Sequence, residues 1–149
     1  MNADIETWLS DNGFEIQQPD SPNTKGQHAL IFAAQQGRDD VAKYLIAQGM
    51  DLTVTDAYGN NALWAACFAE AKACITTLLN AGIDIDFQNS TGATALTYAS
   101  SSGKHEVVSQ LLQAGANPLL TTQDDFSALD LASTHQCLKL LRDAVKTCS

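Results

Sequence analysis

The stretch "GNNALWAACFAEAKACITTLLNAGIDI", residues 59–85, sets the rhythm of the whole chain. Residues 26–52 read "GQHALIFAAQQGRDDVAKYLIAQGMDL" and residues 92–118 read "GATALTYASSSGKHEVVSQLLQAGANP". Gly49, Gly82 and Gly115 are spaced 33 residues apart, and Leu30, Leu63, Leu96 and Leu129 keep the same step. A period of about 20–50 residues signals a stacked array, because one such unit cannot bury its apolar side alone.

Two helical patterns recur in each copy. The first is "HALIFAAQQ", "NALWAACFA", "TALTYASSS" and "SALDLAS"; its alanines allow close approach of neighbouring helices. The second is "DDVAKYLIAQG", "KACITTLLNAG" and "HEVVSQLLQAG". Here apolar residues recur at the spacing of one helical face. The glycine that follows suits a left-handed C-terminal cap.

At these residues the chain resembles the ankyrin repeat family. "DAYGNNALWAAC" and "NSTGATALTYAS" are similar to the first part of its pattern, and "VVSQLLQAGAN" to the second. The family's proline before the invariant leucine is alanine in every copy, at Ala29, Ala62, Ala95 and Ala128. Its following histidine is replaced by Ile31, Trp64, Thr97 and Asp130. Losing that proline removes a preset φ, not the helix. The resemblance covers about residues 1 to 146. It implies an all-α solenoid of stacked helix-turn-helix units with β-hairpin-like loops.

The ends fit a closed array within a single domain, 1–149. Ile5, Leu9, Gly13 and Ile16 align with Cys74, Leu78, Gly82 and Ile85, so the chain opens on a lone second helix. Residues 1–22 form an N-terminal half-repeat and link, followed by repeats at 23–55, 56–88 and 89–121 and a trimmed C-terminal repeat at 122–149. Ile5, Trp8, Leu9 and Ile16 are expected to cover the first repeat, and Arg142 replaces Leu79 and Leu112 on a helix whose outer side meets water. Terminal repeats need such polar outer faces.

Composition narrows the function. No apolar run approaches the ~18 residues of a membrane span. The opening "MNADIETWLSDNG" is acidic and lacks the apolar block of a secretory leader, so a cytoplasmic location is expected. The net charge is −9, with eight Lys and Arg in total. Nucleic acids and anionic membranes, which are bound through cations, are poor partners for such a chain. Cys67 and Cys74 replace Ala34 or Ser100 and Val41 or Val107, which reads as small buried filler. Neither they nor Cys137 and Cys148 have the close spacing of a zinc site.

"SSSGKHE", residues 100–106, contains Gly-Lys but not a phosphate loop: Tyr98 and His105 occupy the positions that need Gly and Ser or Thr. In repeat phase Gly103 matches Gly37, a turn between helices. His28, His105 and His135 lie in different copies without metal-ligand spacing. No catalytic elbow is present. No enzyme activity, cofactor or metal is expected.

In the resembled family, hairpin tips and first helices line a concave surface that binds partner proteins. Carried over copy by copy, the candidate partner-binding residues are Lys25, Gln27, Gln35, Tyr58, Asn60, Trp64, Phe68, Thr91, Asp124 and Phe126. Asn60, Trp64 and Phe68 fall four apart on one helical stripe, with Tyr58 at its edge; core packing and an aromatic anchor both explain it. Layers spaced ~8–10 Å apart would give a groove of roughly 30–40 Å, enough for the ~800 Å² per partner of a specific interface. The expected partner is another protein, folded or extended, with basic residues, and the chain by itself is expected to be a monomer. An adaptor fits this, and so does a small inhibitor or immunity protein masking the active site of a toxin or other enzyme. For the stack itself, Leu63, Leu78, Leu96 and Leu111 should be almost fully buried. Leu78→Ala should cost about 2–5 kcal/mol in chemical denaturation; an unchanged midpoint would mean the phase is misassigned.

Overall fold

A computed structural model describes residues 3–15, 17–18 and 21–148. Contacts divide the chain into two compact units, Met1–Ile83 and Asp84–Ser149. Unit 1 carries α1 (Ala3–Asp11), α2 (Ala29–Gln35), α3 (Asp39–Ala47), α4 (Ala62–Phe68) and α5 (Lys72–Asn80). Unit 2 carries α6 (Ala95–Ser101), α7 (His105–Gln113), α8 (Ala128–Leu131) and α9 (His135–Cys148). Among the described residues the regular structure is helical, as expected of an all-α solenoid.

In unit 1 the first helices of two copies, α2 and α4, pack side by side, and the second helices α3 and α5 do the same. The alanines make the first contact possible: Ala29, Ala33, Ala34, Ala62, Ala65 and Ala66 are all buried. Leu30, Val41, Leu45, Leu63, Ile75 and Leu78 fill the space between the layers and are shut off from water. In unit 2, α6 packs on α8 and α7 on α9 around Leu96, Val107, Val108, Leu111 and Leu141. All four leucines expected from the repeat phase are therefore core. Cys67, Cys74 and Cys137 are buried free thiols.

Helix α1 packs against α3 of the first repeat. Ile5, Trp8 and Leu9 on α1 are buried. Trp8 packs against Phe14 and Phe32 with ring centroids 5.9 and 5.8 Å apart. Its indole Nε1–H also donates to Gln36 Oε1 at 2.7 Å, which satisfies a polar atom that burial would otherwise leave unpaired. Ile16, expected in the same cover, lies outside the described residues.

The residues that open the first helices are not all capped alike. Thr94 and Ser127 form full capping boxes with Thr97 and Asp130, and Asn61 accepts from the Trp64 amide. His28, at the same phase, makes no side-chain cap bond. The loops that precede these helices are closed by one recurring side chain. The Oδ1 of Asn23 accepts the amides of Lys25 and Gln27, that of Asp56 those of Tyr58 and Asn60, and that of Asn89 those of Thr91 and Ala93. Such side chains substitute for backbone partners in a turn.

The turn between the two helices of each of the three full repeats needs a left-handed residue, and Gly37 and Gly103 supply it with φ of 69° and 73°. In the second copy that position is Glu70, φ 54°. The same exchange occurs at the loop tips, where Asp125, φ 72°, stands in phase with Gly26 and Gly92. An L side chain in this region costs about 1–2 kcal/mol, less for Asp than for Glu. Glu70→Gly should therefore stabilise the chain by about 1 kcal/mol, read as a rise of about 3 °C in thermal unfolding. Asp125→Gly should gain less, and a fall in melting temperature for Glu70→Gly would refute the strain.

Candidate functional site

Unit 1 contains a cavity of about 240 Å³ between two loop tips and the first helix of the first repeat. Lys25, Gln27 and His28 come from the first tip, and Asp56, Ala57 and Tyr58 from the second. Ile31, Phe32 and Gln35 rise along α2. The positions follow from the fold: residues 28, 31, 32 and 35 share a helical face, and the Asx-closed loops hold the tips beside it. Four candidates named from the sequence, Lys25, Gln27, Gln35 and Tyr58, are brought together here. Tyr58 is 77% exposed and Phe68 63%, the largest apolar surfaces unit 1 offers to solvent among its described residues.

The other candidates are placed differently. Asn60 is half-buried, and its backbone amide and carbonyl are both used by Asp56 in closing the loop. Trp64 is half-buried on α4, while Phe68 projects from the end of the same helix. Phe68 is not among the cavity's lining residues. In unit 2, Thr91 sits at an exposed tip with its amide and hydroxyl on Asn89 Oδ1. Asp124 is exposed and Phe126 is 48% exposed in the last loop. Ile31, Phe32 and Asp56 were not singled out as site residues from the sequence; the signal for the first two was their place three and four residues beyond His28 on one helix.

Electrostatics adds little chemistry. Arg38 grips Asp40 through two bonds of 3.0 and 2.9 Å, which lowers the Asp40 carboxyl and raises the Arg38 guanidinium. This exposed pair is worth ~0–1 kcal/mol. Among the described residues no group of three His, Cys, Asp or Glu is placed to hold a metal ion. His28 lines the cavity edge, while His105 and His135 open α7 and α9. No described helix is long and apolar enough to cross a membrane.

The comparisons with known proteins agree on the architecture. The family described as "Ankyrin repeats (3 copies)" matches residues 2–89 and 70–147. An ankyrin repeat-containing protein of Treponema pallidum is 32% identical over 128 residues, 85% of this chain and 42% of that protein. An L-asparaginase of Dirofilaria immitis is 32% identical over 118 residues, 78% of this chain and 20% of that protein. The crystal structure of the ankyrin repeat domain of Bcl-3, a member of the IkappaB family, superposes with a TM-score of 0.78 at 25% identity. That match covers 83% of this chain and 54% of the Bcl-3 chain. The chain thus spans less than half the length of these curated relatives. It belongs to the ankyrin repeat family, whose fold is generally a protein–protein interaction module and typically not an enzyme.

Thiol chemistry can be placed directly. Burial, and then the nearby Asp39 and Asp40 carboxylates, push the Cys74 thiol up to about 11. A raised folded-state value means the native chain holds this proton more tightly than the unfolded chain. The resulting stability is present below the ordinary thiol value of 9.0 and is lost as pH rises toward about 11, a swing of no more than about 3 kcal/mol. Denaturation followed from pH 8 to 11 should show a steeper alkaline loss for wild type than for Cys74→Ala. Parallel curves would remove Cys74 as the cause.

Proposed function

We propose that this chain binds a partner protein through the loop tips and first helices of unit 1, with Tyr58 and Phe68 as apolar anchors. The observation that carries the reading is the exposure of two large aromatics on the unit that also holds the cavity. Largely exposed aromatics are costly to leave in water, and interface hot spots favour Tyr and Trp in particular. The partner presents a basic surface, because a net charge of −9 favours encounter with cations and disfavours polyanions. Both an adaptor and an enzyme inhibitor use such a face; inhibition of the captured partner's activity by stoichiometric chain separates the two.

The proposal divides binding into two separable parts. The acidic field acts over distances limited by a Debye length of about 8 Å at physiological salt and raises the on-rate. Burial of an aromatic sets the off-rate. Binding kinetics against a partner recovered by pull-down should show Tyr58→Ala or Phe68→Ala costing on the order of 2 kcal/mol through the off-rate. Raising the salt concentration should chiefly slow association. If both aromatic substitutions leave dissociation unchanged while the fold is intact, the anchors lie elsewhere.

A further inference from the structure

The loop tips of the two units are finished differently. In unit 2 the third and fourth tips are stitched together. The Gln123 amide donates to the Thr91 carbonyl at 2.9 Å, and Gln123 Nε2 donates to the Ser90 carbonyl at 2.8 Å. Gln88 Nε2 adds a bond to the Thr121 carbonyl at 3.0 Å. The seam is so close that a Cβ added at Gly92 would sit 2.9 Å from the Gln123 nitrogen.

Two periods earlier, the same positions in unit 1 read Pro22 for Gln88 and Ala57 for Gln123. Neither can supply a side-chain amide. The tips remain apart: nothing lies within 4 Å of a Cβ built at Gly26. The Lys25 carbonyl and the Ala57 amide, equivalents of the pair bonded in unit 2, make no hydrogen bond among the described residues. Between them lies the cavity with Ile31, Phe32 and Tyr58 in its lining.

We infer that the space between the first two loop tips is a slot for one extended segment of a partner protein, recognised through its backbone. One peptide group of the segment donates its N–H to the Lys25 carbonyl and, on its opposite side, accepts from the Ala57 amide through its C=O. It takes the middle place in a three-chain ladder spaced about 4.8 Å apart. Gln27 and Gln35, each with both a donor and an acceptor, serve the flanking peptide groups. The adjoining side chain enters the cavity against Ile31, Phe32 and Tyr58. A volume of about 240 Å³ lies below the ~300–1,000 Å³ of small-molecule sites and suits a single large side chain. Recognition by strand addition to open backbone groups is a general mode of peptide binding. The inference rests on the reading of unit 1 as the partner-facing surface, and it names what that surface holds.

The test uses the full chain and a phage-displayed library of random linear peptides selected on it. The closing variant Pro22→Gln/Ala57→Gln restores both stitching amides; its thermal unfolding, at or above that of wild type, shows that it folds. The expected result is a set of peptides that lose about tenfold or more in affinity for the closed variant. Those peptides should lose binding when a single backbone nitrogen is methylated, and should shift the Lys25, Ala57 and Tyr58 amide resonances. Peptides indifferent to closure, or to methylation at every position, overturn the slot. If they also depend on Tyr58→Ala and Phe68→Ala, the partner-facing surface survives without it. Peptides sensitive to closure, methylation and Tyr58→Ala but indifferent to Phe68→Ala keep the slot and remove Phe68 as an anchor. A selection that returns no peptide above background overturns the slot while leaving a folded-protein partner to the wider surface.

Discussion

The close approach of alanine-faced first helices is the constraint on which everything else depends. In unit 1, α2 and α4 meet through small side chains. A larger residue at Ala33 or Ala66 would push the layers apart and strand Leu30 and Leu63 beside a void, since packed interiors tolerate little change of volume. The same contact sets the interval between consecutive loop tips, because each tip is fastened to the start of its own first helix. Tip spacing, and so the width of anything held between tips, is inherited from the alanine contact.

Within that interval, closure is a local choice. Unit 2 shows what two glutamines do when they reach across, and unit 1 carries proline and alanine at the same positions. The first three loops are each tied by one Asn or Asp oxygen to two amides, and the fourth by the Thr122 hydroxyl, which accepts the Phe126 amide. The gap in unit 1 is thus a property of two side chains and not of a poorly formed loop. A rigid tip on either side of an open space is a favourable arrangement for binding, because little ordering cost remains when a guest arrives.

Much of this was legible in the letters. The 33-residue step placed the helices, the buried leucines and cysteines, and the half-repeat that opens the chain. It also placed Lys25, Gln27, Gln35 and Tyr58 on one surface, because hairpin tips and first helices recur at fixed phase. What the letters did not disclose was contact across that phase. Asn60 looks free to face a partner in a helical-wheel argument, yet its backbone is committed to Asp56. Trp64 and Phe68 share a stripe by spacing, but one is half-buried and the other stands at the open end of its helix. The missing stitch is visible only when pairs of positions, not single ones, are compared between copies. Glu70 at a glycine's place was written in the sequence; its meaning required the backbone angle.

Phe32 gives the terminal cover a second significance. One face of its ring belongs to the aromatic trio with Trp8 and Phe14, and the side chain also lines the cavity between the tips. A residue shared in this way carries two histories of selection at once. Drift at Phe32 that suited a new guest would loosen the N-terminal half-repeat, and drift that tightened the half-repeat would reshape the guest's berth. A partner-facing surface on unit 1, as proposed, would be less free to diversify on its α2 wall than on the Tyr58 side. New specificities would be expected to accumulate first at the second loop tip, where a substitution leaves the contact between α1 and the first repeat undisturbed.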